Sequence, residues 1–422
     1  MRLPGGASFS QTFSSLRHRN YRLLWLGTMV SHSGDWMDQI AFNWLVLMLS
    51  DSPLSLGLVN LFRAVPIFFL TPLGGVAADR WERRKILIIT QSLSMFLAFL
   101  IGLLVTTGRV RLWETFLIAA LRGALMSFNA PARQSLISDL VPRQDLANAV
   151  ALNYATNNLT RILGPSAGGV LIALFGVDWL FYLNAFSFLA VIWTLYLMTE
   201  INTANGAATA GSWENLKEGL TYLRKDRLIL YLVLLALVPM FFGQPYMTML
   251  TVFARDILQV GPAGLGLLTS VTALGSMLGA LAVAGQRRPP QVMYMLGGLI
   301  FFGLSLLLFS FSRWLLPSLL FLFLAGYANL IYNSINNSLI QLTVSDQYRG
   351  RVLSLLFLNR GLVPLGTAFT GWLAEMLGTP LASGLMSIAL VLLGGLAFFF
   401  RPAASQAAVS PDPQAQRNHR AL

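Results

Sequence analysis

The chain has 422 residues, of which 55% are hydrophobic and only 11% charged, with a mean hydropathy of +0.65. Soluble domains carry about 25% charge, so this composition excludes a water-soluble globular enzyme and points to a polytopic membrane protein. The net charge of +12 sits in short basic clusters between apolar runs, which argues against a nucleic-acid partner; with no Cys, three scattered His and no P-loop, no disulfide, metal site, nucleotide site or cofactor is expected.

A helix crosses the bilayer core in roughly 20 residues. Twelve apolar runs of that size follow in order: 22–49, 54–78, 86–106, 113–132, 147–173, 178–198, 228–254, 262–284, 291–311, 314–340, 352–377 and 380–400. The first lacks a small-residue cleavage site and reads as a retained helix. With both termini on one side, 21 of the 29 Lys and Arg, Arg133 among them, fall on that side, 4 on the other and 4 within runs. The positive-inside rule makes the basic side, and both termini, cytoplasmic.

The first run carries Asp35 and Asp38 near its middle, followed by Asn43 and Trp44. A charge at that depth costs about 2.5–3.5 kcal/mol on insertion scales and normally faces a partner or a water-filled cavity. Spacing of three puts both acids on one helix face, an arrangement suited to a protonation switch or to structural pairing with an Arg. Between the second and third runs lies Gly74-Gly75-Val76-Ala77-Ala78-Asp79-Arg80-Trp81-Glu82-Arg83-Arg84-Lys85, a short charged cytoplasmic loop. Arg122 lies inside the fourth run, either as a functional cation or as the structural partner of Asp35 or Asp38, and Asp139 follows that run. Arg63, Arg161 and Arg360 are further intramembrane bases, each functional or bonded to backbone carbonyls. The fifth run holds Gly164-Pro165-Ser166-Ala167-Gly168-Gly169, where proline removes a helix bond and the glycines permit close helix approach.

Residues 199–227 form the longest connection. Its first part reads as a flexible linker, and Trp213, Leu216, Leu220 and Leu223 make one face of an amphipathic surface helix. Tyr246 in the seventh run and Asn329, Asn333 and Asn336 in the tenth (i, i+4, i+7) are candidate cavity or helix-bonding polar groups. Segment 52–58 matches 261–267 at an offset of 209, and 135–137 and Gly168 match 338–340 and Gly371 at 203. The chain therefore divides into an N-terminal segment (1–21), a six-helix bundle (22–198), a linker (199–227), a second six-helix bundle (228–400) and a polar tail (401–422) expected to be disordered. The loop at 285–289 keeps its bases but lacks the acid of the 74–85 loop.

The 74–85 loop resembles the G-x-x-x-D-R-x-G-R-R loop between helices 2 and 3 of the major facilitator superfamily, with Glu82 where that pattern has Gly. Arg122 is similar to the buried Arg of that family's helix 4 motif, linked there to proton transfer or substrate contact; the glycine pattern after it departs from the motif. Gly164, Pro165, Gly168 and Gly169 resemble the signature of the family's antiporters. The segments 16–25, 130–134 and 348–352 look like the branch that includes the enterobactin exporter and macrolide efflux proteins. The resemblance implies an all-α fold of twelve transmembrane helices in two six-helix pseudo-repeat bundles.

The expected function is secondary-active export of an amphipathic small molecule (drug, macrolide-like compound or siderophore) across the inner, or plasma, membrane by a monomer, with protons as coupling ion and Asp35, Asp38 and Arg122 carrying the coupling. A cytoplasmic gate is expected from Gly75, Asp79, Arg80, Arg83 and Arg84: Asp79 near Arg351 at the start of the eleventh helix, Arg83 or Arg84 on Asp139. Two alternatives share the fold: a lipid or lysolipid flippase, and a non-transporting receptor or scaffold. Four intramembrane Arg against Asp35, Asp38 and Glu375 favour an amphipathic or anionic cargo.

Overall fold

A computed structural model describes residues 13–199, 221, 226–285, 291–345, 348, 352 and 361–401. The expected amphipathic helix (Thr221 apart), the 286–290 loop, Arg351, Arg360 and the tail lie outside them. Among the described residues the chain is all helical. The twelve helices are α1 (Arg19–Ser50), α2 (Pro53–Arg80), α3 (Arg83–Thr106), α4 (Leu112–Leu140), α5 (Arg143–Phe175), α6 (Val177–Tyr196), α7 (Arg227–Ile257), α8 (Gly261–Ala284), α9 (Val292–Phe311), α10 (Leu315–Thr343), α11 (Leu362–Leu377) and α12 (Thr379–Phe399).

Nine of these are long and apolar enough to cross a membrane, and α11 is a shorter apolar helix. The two left over are α1 and α4. Both are long enough, at 32 and 29 residues, and both carry ionised side chains in their interior. Asp35 and Asp38 in α1 and Arg122 in α4 make these two the more polar helices.

Two compact units form. One takes in the described residues up to 199 together with Leu250–Ser270; the other takes in the described residues of 210–249 and 271–422. In the first, α2 packs on α4, α1 on α5 and α6, and α3 on α6. Glycine allows the tightest approach. A Cβ on Gly123 of α4 would run into the Arg63 carbonyl of α2, and one on Gly74 into the Ser127 carbonyl. The glycine that departs from the family motif thus has a packing reason. The second unit repeats the crossing: a Cβ on Gly326 of α10 would meet the Thr272 carbonyl of α8. Gly123 to Gly326 spans 203 residues and Arg63 to Thr272 spans 209, the two offsets of the sequence repeat.

Helix α7 departs from a plain apolar span. It turns π-helical at Pro239–Gly243, breaks at Gln244 and Pro245, resumes at Tyr246 and turns π-helical again at Phe253–Ile257. Pro239 and Pro245 each lack an amide hydrogen, so the regular ladder cannot run through them. Such π segments are frequent at functional sites.

Candidate functional site

The polar centre of the first unit is built on α1 and α4. Asp38 is buried and accepts two hydrogen bonds from Arg122, Nη1 at 2.5 Å and Nη2 at 3.1 Å. The fork-to-fork geometry is the strong form of a carboxylate–guanidinium pair. The Arg122 guanidinium also lies over the Phe42 ring, 5.1 Å from its centroid.

Asp35 does not share the Arg122 fork. Its Oδ2 lies 3.7 Å from His32 Nδ1, too long for a hydrogen bond. His32 Nε2 sits 3.1 Å from Arg133 Nη1. A guanidinium only donates, so Nε2 must accept, which places the ring proton on Nδ1 facing Asp35. Arg133 Nη2 donates to Asn129 Oδ1 at 2.9 Å, and Asn129 Nδ2 donates to Thr90 of α3 at 2.8 Å. The two acids therefore face different partners about one helical turn apart, Asp38 the Arg122 guanidinium and Asp35 the His32 ring.

The α4 residues Arg122, Met126, Asn129 and Arg133 recur at i, i+4, i+7 and i+11, one face of a helix, opposite His32, Asp35, Asp38 and Phe42 of α1. The antiparallel pairing makes an axial ladder. Arg63 of α2 adds a third guanidinium, its Nη2 3.9 Å from the Met126 sulfur. Sequence reasoning placed Asp38 and Arg122 but missed His32, Asn129 and Arg133. The apolar run ends at 132, which puts Arg133 among the cytoplasmic bases. The helix in fact runs on to Leu140, and its i, i+7, i+11 spacing was the available signal.

Other expected positions vary. Trp44 and Tyr246 are buried; Tyr246 stands edge-on against Phe302 with centroids 6.0 Å apart and lines a small cavity with Phe242, Pro245 and Thr370. Asn43 and Arg161 are half-buried and make no side-chain hydrogen bond among the described residues. In the second unit, Asn333 Nδ2 donates to Asn329 Oδ1 at 2.7 Å, and Gln244 at the α7 break reaches the same oxygen at 3.4 Å. Asn336 is buried apart from them, its Oδ1 without a partner.

In α5, a Cβ on Gly164 would strike Trp36, one on Gly168 would press on Met37, and one on Gly169 would strike the Pro262 carbonyl; the Pro165 carbonyl approaches Gly266. Ser270 Oγ accepts from Ser166 at 2.5 Å and donates to the Ile162 carbonyl at 2.6 Å. The motif is thus a close-packing seam within the unit.

At the charged loop, Arg83 is buried, donates Nε to the Ala78 carbonyl at 3.1 Å and pairs with Asp139. Arg84 donates to the Tyr196 carbonyl at 3.2 Å. Glu82 pairs with Lys85 at 2.8 Å. Asp79 and Arg80 are exposed, and a Cβ on Gly75 would meet open space. Nearby, Ser14–Arg17 forms a 3-10 turn docked on the start of α5. His18 Nε2 bonds Asp145 Oδ2 at 2.8 Å and Ser14 Oγ donates to Asp145 Oδ1 at 2.7 Å. These bonds, ahead of the apolar run of α5, hold the Asp145 carboxyl below its ordinary value of 3.8.

Residues 10–420 match the family described as transmembrane secretion effectors of the major facilitator type. The staphyloferrin A transporter of Staphylococcus aureus is 26% identical over 375 residues, covering 87% of this chain and 92% of that one. The multidrug efflux pump Tap of Mycolicibacterium fortuitum is also 26% identical, over 392 residues, covering 89% and 94%. A bacterial homologue of the human lysosomal transporter Spinster shares the fold with a TM-score of 0.75 at 15% identity, over 93% of this chain and 99% of that one. The chain belongs to the transmembrane secretion effector family and is a multi-pass transporter of the major facilitator superfamily, not an enzyme.

Proposed function

We propose that the protein exports an amphipathic small molecule from the cytoplasm by alternating access, in exchange for protons. The observation that carries this reading is the ladder on α1 and α4, in which one acid is committed and the other is not. Both carboxylate oxygens of Asp38 are held by the Arg122 fork. Asp35 has only a 3.7 Å approach to His32, which leaves it able to take up and release a proton without breaking an ion pair. The groups that face it are His32, Arg133, Arg63 and, further off, Asp38. In this reading Asp35 is protonated from outside, and the proton leaves to the cytoplasm as cargo binds.

The energetics suffice. One charge crossing 100 mV yields about 2.3 kcal/mol, and about 1.4 kcal/mol is tenfold, so one proton supports a gradient of about 40-fold for a neutral cargo. The similarity to the efflux pump Tap supports the direction of transport. In this reading, supported by the distribution of the basic clusters, both termini are cytoplasmic, and there the Arg83–Asp139 pair would brace the loop whose Asp79 gates the cytoplasmic side. The test is an accumulation screen in an efflux-deficient host, with and without an uncoupler. Export should be uncoupler-sensitive and lost in Asp35→Asn; uncoupler-insensitive export by both parent and variant would overturn proton coupling.

A further inference from the structure

Three guanidinium groups stand within the first unit's polar centre against two carboxylates. Arg122 takes Asp38. Arg133 bonds two neutral acceptors, His32 Nε2 and Asn129 Oδ1, and Arg63 approaches only a thioether. Among the described residues, no carboxylate lies within 4.0 Å of Arg63 or Arg133. Both side chains are half-buried, so each has surface left for a partner. Asp35, the one carboxylate not already forked, is left to act on both, and an intramembrane cation so incompletely compensated is costly and is retained for a ligand or a pathway.

The repeat shows that packing does not require these charges. The α2–α4 crossing at Gly123 and Arg63 is made again in the second unit at Gly326 and Thr272. Arg133 corresponds there to Asn336 at the offset of 203, and Asp35 to Gln244 at 209. The same helix crossing is thus built once with a cation and once with a neutral group.

We infer that the cargo is an amphipathic anion, whose carboxylate or similar head is held by Arg133 and Arg63 while its apolar body lies along Met126. The inference rests on the export reading and narrows its substrate. Arg is the side chain suited to this: its planar fork donates two parallel bonds to a carboxylate or phosphate and never loses its proton. The Arg122–Asp38 pair is neutral, so Arg63 and Arg133 against Asp35 set the sign of the site. With His32 neutral the centre carries a net single positive charge, so a cationic cargo is repelled. The membrane potential then acts on the cargo itself: an anion leaving an inside-negative cell gains about 40-fold per charge, in addition to any proton exchanged for it.

The test uses two planar xanthene dyes of similar shape and opposite charge, carboxyfluorescein and rhodamine 6G, with the full chain reconstituted in liposomes. Binding is read by anisotropy, and transport under potentials of either sign imposed with potassium and valinomycin. Carboxyfluorescein should bind and move toward the positive side. Arg133→Gln and Arg63→Gln should each weaken its binding at least tenfold, Arg133→Lys should retain part of it, and Arg109→Gln, at the far end of the unit, should leave it unchanged. Preferential transport of rhodamine 6G would overturn the anionic cargo while leaving export intact. Parent-like carboxyfluorescein binding in both Gln variants, each monodisperse, would overturn the assigned residues. No binding of carboxyfluorescein by the parent would overturn the inference, and no uncoupler-sensitive efflux from cells would overturn the export reading as well.

Discussion

Removing Arg122 should be the most damaging single change in the first unit. Asp38 is 5% exposed and its carboxylate is satisfied by both Nη atoms of Arg122. Arg122→Gln leaves that carboxylate buried without a counter-charge, and breaking one side of a buried pair costs about 3–5 kcal/mol. Asp38→Asn leaves a guanidinium that still has the Phe42 face, 5.1 Å away, so it should cost less, about 1–3 kcal/mol. The double variant, Asp38→Asn with Arg122→Gln, removes both charges and keeps an amide pair of similar size. It should lie within about 1–2 kcal/mol of the parent, because a buried pair replaced whole is close to neutral. The coupling energy from the cycle is then at least about 2 kcal/mol, large for a pairwise term. The assay is reversible unfolding of the purified protein in mixed detergent–SDS micelles, followed by tryptophan fluorescence. Additive single-variant losses would show that the two side chains do not act as a pair, and the reasoning would fail.

Three further outcomes follow from the same geometry. Gly123→Leu and Gly326→Leu should each force a helix crossing apart and cut the yield of folded protein, a cost of at least about 1–3 kcal/mol from overpacking, whereas Gly75→Ala, with open space around its Cβ, should leave folding intact; thermal stability in detergent distinguishes them. The Asp145 carboxyl is lowered first by His18 and then by Ser14, so its stabilising bonds are present above the ordinary carboxylate value and lost as pH falls through the lower folded one. Hydrogen exchange at Ser15 to His18 should accordingly be faster in Asp145→Asn than in the parent at pH 7, with the difference vanishing in strong acid. Arg255 donates to the Leu47 carbonyl at 2.8 Å as well as to the 82% exposed Asp51, so Asp51→Asn should change stability by under about 1 kcal/mol, and Arg255→Ala by more, in the same unfolding assay.

The helices were legible because each apolar run is bounded by turn residues or charges, and the repeat because two offsets recur. Asp38 and Arg122 were legible because an ion in an apolar run needs a reason to be there. His32 and Arg133 were not: a single His carries no spacing pattern, and an Arg at the end of an apolar run looks like a cytoplasmic anchor until the helix is seen to continue. Helix α4 continues because its inward face there is polar and finds partners on α1 and α3, so hydropathy alone ends the run early. The π turns of α7 were equally hidden. Pro239 and Pro245 signal a break, but whether the chain answers with a kink or with wider turns depends on neighbours such as Phe302 and Asn329.

Proton uptake by Asp35 is the central claim, and an inward pH jump on proteoliposomes containing the full chain and a pH-sensitive dye tests it most directly. Addition of a transported cargo should release protons from the parent. Asp35→Asn should abolish that release while still binding cargo, and Asp38→Asn should change folding more than stoichiometry. Undiminished cargo-driven proton movement in Asp35→Asn would contradict the account.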